Sequence, residues 1–197
     1  MAHGLIIIGL AGTNGSGKDT VGQILADKKG YLFISVTELL RAEAARRDQP
    51  ASREVLRTIS AEWRRELGLG VLVDKAVAEY EIVKNNYSGV AMASLRNPGE
   101  ADRIHAMGGA MIWIDADPHI RYERIQANKA LRGRAEEDSK TFEQFLSEEA
   151  AEMHTPPGGD AANLNIAAVK ERCDIFINND GSGMSQLEQG LLRQLGL

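Results

Sequence analysis

The chain alternates between two hydrophobic rhythms. Leu5-Ile6-Ile7-Ile8 is apolar on consecutive positions, the pattern of a strand buried on both faces. A glycine-rich break covers residues 9–17, and from Lys18 onward Val21, Ile24 and Leu25 return at helical spacing. Tyr31–Ser35 is a second short apolar run, and Ser35-Val36-Thr37-Glu38 reads as a capping box that opens a second helix. Asp48-Gln49-Pro50 ends that helix. The next helix has the clearest periodicity: Val55, Leu56, Ile59, Trp63 and Leu67 share one face, with Ser52 as N-cap and Gly68 as the stop. Another helix covers residues 71–84. Residues 90–95 predict a strand, followed by a loop at Asn97-Pro98-Gly99, and residues 111–114 predict a strand ending at Asp115. Pro118 suits the first turn of a helix that continues over residues 120–130. Phe142, Phe145 and Leu146 mark a further helix, and residues 153–164, with Pro156-Pro157-Gly158-Gly159, read as loop. Residues 174–178 form the last predicted strand, residues 179–183 a turn, and Met184–Leu195 a closing helix.

Strands that alternate with helices from end to end predict an α/β fold, a parallel sheet with helices on both faces. No internal repeat, low-complexity stretch or linker divides the chain, so residues 1–197 read as one domain. Composition adds mostly exclusions. With 43% hydrophobic and 26% charged residues the chain is an ordinary globular one. Its longest apolar run, residues 5–10, is far shorter than the roughly 20 residues of a membrane helix and lacks a signal-peptide layout. A net charge of -5 and a pI near 5.5 argue against non-specific nucleic-acid binding. The lone Cys173 excludes an internal disulfide and fits a reducing cytoplasm. His3, His105, His119 and His154 show no metal-ligand spacing. Trp63 and Trp113 read as core. One number departs from the ordinary: 20 glycines in 197 residues, against an average of about 7%, crowded between Gly9 and Gly22.

The crowding resolves into Gly12-Thr13-Asn14-Gly15-Ser16-Gly17-Lys18-Asp19-Thr20, a glycine, four residues, Gly and Lys, set between a buried strand and a helix. That is the context of a phosphate-binding loop. Glycines let the backbone wrap an anion with its N–H groups inward, the helix N-terminus adds its dipole, and Lys18 brings a mobile cation to the β- and γ-phosphates. Gly9 and Gly22 read instead as packing positions. Asp19 stands where a magnesium-binding Ser or Thr is usual, and Thr20 follows. This Gly-Lys-x-Thr arrangement resembles the P-loop nucleoside monophosphate kinases, adenylate kinases among them. The Gly-Lys-Asp-Thr form is similar to some deoxynucleoside monophosphate kinases. The resemblance implies that Thr20 serves the α-phosphate and that Mg2+ is held largely through water, which Asp19 could accept from. Asp19 also reads as a residue that favours the helix N-terminus electrostatically.

The likeness extends over most of the chain and includes the dephospho-CoA kinases. It implies a three-layer P-loop NTPase fold with five parallel strands in the order 2-3-1-4-5. Thr37 and Arg41 match the Thr and Arg, four apart on one helix face, that line the acceptor site in adenylate-kinase-like proteins. Arg96, where the third strand ends, can clamp a phosphate bidentately, although it also reads as a surface partner of Glu100. Relatives carry Asp-Gly-x-Arg there; this chain reads Ala93-Ser94-Leu95-Arg96, without the acid that orders magnesium waters or takes the acceptor proton, a role open to Asp19 or Asp115. Residues 121–134 hold five basic side chains, Arg121, Arg124, Lys129, Arg132 and Arg134, and one acidic one. They resemble a mobile basic lid that closes on the migrating phosphoryl group, with Arg124, Arg132 and Arg134 as its working residues. A basic face paired with Glu136-Glu137-Asp138 is the alternative, and no interleaved aromatics support RNA stacking. Asn178-Asn179-Asp180-Gly181-Ser182 looks like the turn that packs on adenine through its backbone.

The expected protein is thus a P-loop kinase domain, with an acceptor-binding helical region at about 36–85 and a lid at about 118–138. It would use ATP and Mg2+ in the cytoplasm, and its acceptor would be a small nucleotide, foremost a (deoxy)nucleoside monophosphate. Dephospho-CoA kinase and a nucleotide-binding protein without kinase activity are the rival readings. No nucleic-acid or membrane partner is expected.

Overall fold

The structure, a computed structural model, describes residues 7–129, 139–156, 158–181 and 183–196. Its centre is a five-stranded sheet of β1 (Ile7–Gly12), β2 (Tyr31–Ser35), β3 (Gly89–Ala93), β4 (Ala110–Asp115) and β5 (Ile175–Asn178). The spatial order is β2-β3-β1-β4-β5 and every pairing is parallel, as the resemblance implied. Parallel neighbours need long crossovers, and helices supply them. In chain order these are α1 (Lys18–Lys29), α2 (Val36–Arg46), α3 (Arg53–Leu67), α4 (Val71–Val83), α5 (Pro98–Ala106), α6 (Pro118–Ala127), α7 (Phe142–Met153), α8 (Ile166–Lys170) and α9 (Met184–Leu195). Among the described residues no helix is long and apolar enough to cross a membrane.

The central strands are apolar on both faces because both faces are covered. β3 is buried at all of its five positions. Ile8 and Leu10 of β1 pack with Val21, Leu25, Ile112 and Leu191 on one side of the sheet. Ala11, Met92, Met111 and Trp113 pack with Leu56, Ile59 and Leu72 on the other. Leu10 stands opposite both Ala93 and Ile112, so β1, β3 and β4 end side by side. Their carboxyl-end loops therefore open at one edge of the sheet, where ligands of open α/β folds collect.

Three expectations need correction. Ser35 makes no side-chain cap, because it is still paired in the sheet opposite Ala93 and α2 starts from the strand without a turn. Asn97-Pro98-Gly99 is not merely a loop: Asn97 caps α5 in a full capping box with Glu100, with Pro98 in the first turn. In α3 the buried stripe is Leu56, Ile59, Ser60, Ala61 and Arg64, while Leu67 is 60% exposed. Ser52 and Gly68 do cap that helix.

Arg64 sits in an apolar layer because Glu100 meets it there. Its Nη2 and Nε donate to Glu100 Oε1 at 2.7 and 3.1 Å, and its Nη1 donates to the Ala162 carbonyl at 3.0 Å. The other Glu100 oxygen accepts the backbone N–H of Arg96 at 2.7 Å and of Asn97 at 3.0 Å. Asn97 Nδ2 then donates to the carbonyls of Ala161 and Asn163, both at 2.8 Å. Arg96 is thus not a surface partner of the Glu100 side chain; Glu100 is buried and holds its backbone. Breaking one member of a buried pair leaves the other charge uncompensated, so Glu100→Ala should destabilise the protein by about 3–5 kcal/mol in urea unfolding.

Candidate functional site

The loop between β1 and α1 takes the form its glycines permit. Gly12, Gly15 and Gly17 have φ of 143°, 80° and 98°. A Cβ on Gly12 would stand 1.9 Å from the Ile114 carbonyl oxygen, and one on Gly17 would stand 2.6 Å from Asn179 Nδ2. Both conformation and space therefore demand glycine there. Inside the loop Thr13 Oγ1 donates to Asp115 Oδ1 at 2.6 Å, and Asn179 Nδ2 donates to the Ser16 carbonyl at 2.9 Å. Lys18, 8% exposed, folds back and donates from Nζ to the Thr13 carbonyl at 2.5 Å. Burial, and then the nearby Arg96, pushes its ammonium from 10.5 down to about 8; Arg121 acts the same way, against Asp19 and Asp115.

Among the described residues, two buried side-chain atoms lack a hydrogen-bond partner: Ser16 Oγ and Arg124 Nη1. Both belong to groups around this loop. Arg124 lines the same cleft as Lys18 and donates from Nη2 to the carbonyls of Asn179 and Gly181. Orphaned donors beside a helix N-terminus and a desolvated lysine fit the phosphates of a nucleotide. Asp19 and Thr20 line the cleft as well. Asp115 does not; its carboxylate is taken by Thr13, by Trp113 Nε1 at 3.3 Å and by Arg121 at 3.6 Å. No group of three or more His, Cys, Asp or Glu side chains is arranged for a metal among the described residues.

A second cavity adjoins the cleft, and Asn14, Thr37, Ser94 and Arg96 line both. Thr37 and Arg41 reach it from α2, and Arg41 pairs with Glu38 at 3.3 Å. Arg96 reaches it from the end of β3, with Nη1 2.5 Å from Glu152 Oε2. Burial lowers the Arg96 guanidinium below its usual range, and Arg53 and Arg57 add to that against Glu152. The structure thus brings together Thr37, Arg41 and Arg96 beside the phosphate loop. It also brings Arg53, Arg57 and Lys140, which the sequence reading missed. The signal was available: Arg53, Arg57, Ser60 and Arg64 recur every three to four residues along α3, a polar stripe beside the apolar one. Ser94 has φ 73° and occupies the glycine position of the relatives' Asp-Gly-x-Arg pattern.

Other residues fall differently. Arg121, read from sequence as part of a lid, is 2% exposed. It donates to the carbonyls of Ala116 at 2.8 Å and Asn14 at 3.2 Å, and it pairs with Glu149, so it fastens α6 and α7 to the loop. Arg132, Arg134 and Glu136-Glu137-Asp138 lie outside the described residues. Cys173 donates to the Val169 carbonyl, and burial pushes its thiol up to about 12, which makes it a poor nucleophile. Trp113 is core, but Trp63 is only partly buried, under the Lys75 ammonium 4.1 Å from its ring centre.

Two outcomes test this geometry. The folded Lys18 titrates near 8 and the unfolded one near 10.5, so the unfolded chain binds more protons in between and stability rises with pH through that window. Lys18→Met should therefore stabilise the protein at pH 7 by up to roughly 3 kcal/mol, a gain that fades as the pH is raised from 8 to 10.5, read by urea unfolding at several pH values. Ser94→Gly should relieve the left-handed strain and add about 0.5–1 kcal/mol, seen as a higher melting temperature.

Known proteins share this architecture. A UPF0200 protein of Pyrobaculum aerophilum is 29% identical over 187 residues, 93% of this chain and 92% of the relative. The shikimate kinase of Bacteroides thetaiotaomicron superposes with a TM-score of 0.60 at 16% identity, covering 98% of this chain and 99% of that one. A gluconokinase of Sinorhizobium meliloti does so with a TM-score of 0.53 at 17% identity, covering 96% and 90%. At such identities the structural likeness is one of fold. The AAA domain family (AAA_18) matches residues 8–144, from β1 through the phosphate loop to the start of α7. That match takes in most of the chain, and the protein belongs to this AAA domain family, on a P-loop kinase-like fold.

Proposed function

We propose that the protein transfers a phosphoryl group from ATP to a (deoxy)nucleoside monophosphate, within one kinase domain whose acceptor region is 36–85 and whose lid is 118–138. One observation carries the reading: a cation-lined cavity opens directly beside the phosphate loop, and Asn14, Thr37, Ser94 and Arg96 line both spaces. Donor and acceptor phosphates held in these two spaces are neighbours, and positioning with charge compensation is most of what phosphoryl transfer asks of a protein. Loop amides and Lys18 hold the donor's β- and γ-phosphates, and Thr20 its α-phosphate. Thr37, Arg41 and Arg96 hold the acceptor phosphate. Arg124, with Arg132 and Arg134, compensates charge on the migrating group, and Asp19 orders the waters of Mg2+.

The end of β3 favours a phosphate acceptor over a hydroxyl one. A phosphate dianion attacks in line without a general base, whereas the ribose hydroxyl of dephospho-CoA needs one. β3 ends in the buried, uncharged Ala93, and Asp115 is already occupied.

A coupled ADP-release assay with MgATP and each common nucleoside or deoxynucleoside monophosphate tests the reading. At least one should turn over, and Arg41→Ala should raise its KM about tenfold or more while the KM for ATP holds, the loss of one charged hydrogen bond. Folded protein that turns over none of them overturns it. Transfer to dephospho-CoA alone would establish that acceptor instead, and ATP binding without any transfer would mark a nucleotide-binding protein.

A further inference from the structure

One wall of the acceptor cavity holds more positive charge than Arg41 and Arg96 account for. Arg53 and Arg57 stand one turn apart at the start of α3, so the helix puts both on one face, and both line the cavity beside Arg96. The three guanidinium groups converge on one carboxylate, Glu152 in the last turn of α7, which is 4% exposed. Glu152 Oε1 takes Arg53 Nη2 at 2.9 Å and also Arg57 Nη2; Oε2 takes Arg96 Nη1. One turn earlier, Glu148 takes Arg53 Nη1 at 2.6 Å and the Lys140 ammonium. Arg96, Arg53 and Arg57 outweigh the burial that alone would raise the Glu152 carboxyl, and hold it below its usual range.

The placement of Glu152 decides its role. It does not line the acceptor cavity. It lines a smaller space behind the wall, with Gly12, Thr13 and Phe145, and Arg53 and Arg96 line both spaces. The guanidinium groups therefore stand between Glu152 and the cavity. A guanidinium has five N–H donors in a rigid fork, so Arg57 and Arg96, each tied back to Glu152 through one Nη, keep another edge for a ligand, while Arg53, tied to both Glu148 and Glu152, adds its charge to the wall. Four cations, Arg53, Arg57, Arg96 and Lys140, against the two carboxylates of Glu148 and Glu152 leave a surplus of two. That surplus is uncomfortable in a half-closed cavity and matches a phosphate monoester dianion. Glu149 of the same helix pairs with Arg121, which reaches the phosphate loop at Asn14. One helix thus steadies both the loop and the wall.

We propose that Arg53 and Arg57 join Arg96 in gripping the acceptor's anionic group, and that Glu152 is the positioning residue that holds the three side by side. The proposal rests on the cavity receiving a phosphorylated acceptor, as above.

Inorganic phosphate probes the wall without turnover. Calorimetric titration of Lys18→Met protein, whose loop lacks its cation, should show phosphate binding. Adding Arg53→Met or Arg57→Met should weaken it about tenfold or more, and Glu148 and Glu152 keep other cationic partners in either variant. No binding, or an affinity unchanged by both substitutions, overturns the proposal. In the kinase assay Glu152→Gln should raise the acceptor KM about tenfold or more, with kcat and the KM for ATP changed far less, and Glu152→Asp should recover part of the loss. A fall in the acceptor KM would mean that the carboxylate competes with the anion, and an equal loss for both substrates would mean a purely structural role; either sinks the positioning role. Wild-type protein that turns over no acceptor, while phosphate still binds through Arg53 and Arg57, removes the phosphotransfer reading and leaves the wall standing.

Discussion

A carboxylate in an apolar layer must be met on all sides or not be there at all, and Glu100 is met on all sides. It binds Arg64 of α3 with one oxygen and the backbone of Arg96 and Asn97 with the other. The helix that walls the acceptor cavity, the turn after β3 and the segment around Ala162 are joined at this one group. Desolvation makes the arrangement all or nothing, because every partner withdrawn strands a charge. The backbone of Arg96 is therefore set before its side chain is considered. The guanidinium that faces the ligand space hangs from a fixed point, the kind of support a site held to within about half an ångström requires.

The two halves of the site obey different physics. The loop between β1 and α1 is built from backbone, and what it offers an anion is amides, a helix end and one desolvated lysine. The adjoining cavity is lined by long cationic side chains that would wander or repel if left alone. Carboxylates behind them, Glu152 and Glu148 from α7, restrain them, while Glu149 on the same helix holds Arg121 against the loop. The sheet places the halves together by opening the carboxyl ends of β1, β3 and β4 at one edge, with β3 ending opposite Leu10 and its neighbours two to three residues further on.

How much of this could be seen in the chain itself follows from what each feature depends on. The loop was legible because its cause is local: positive φ at Gly12, Gly15 and Gly17 needs glycine at those positions. Element types were legible where periodicity was strong, as in α3 and Met184–Leu195. Gly22 was recognised as a packing glycine, and the structure lays it against the Phe33 ring. α5 was missed although Asn97-Pro98-Gly99-Glu100 carries its cap, since proline and glycine together suggest a turn more strongly than a helix start. Arg53, Arg57 and Glu152 were not legible as a unit, because α3 and α7 lie 95 residues apart where Arg57 meets Glu152. Arg121 was counted in the basic run but not among its working residues, and its burial separates it from Arg124.

The bond from Asn179 to the Ser16 carbonyl spans 163 positions of sequence. Asn179 also sits against Gly17 and accepts from Arg124, so the phosphate loop, near the start of the chain, is finished by a residue beyond the last strand. Synthesis delivers the loop first and its completing side chain among the last. A ribosome-bound chain can form β1, α1 and even the β2-β3-β1 half of the sheet while that carbonyl still lacks its partner. Closing such a distant contact is slow relative to local structure. Order in translation and order in assembly thus run opposite ways: the loop is made long before Asn179 and takes its working shape only once Asn179 is in place.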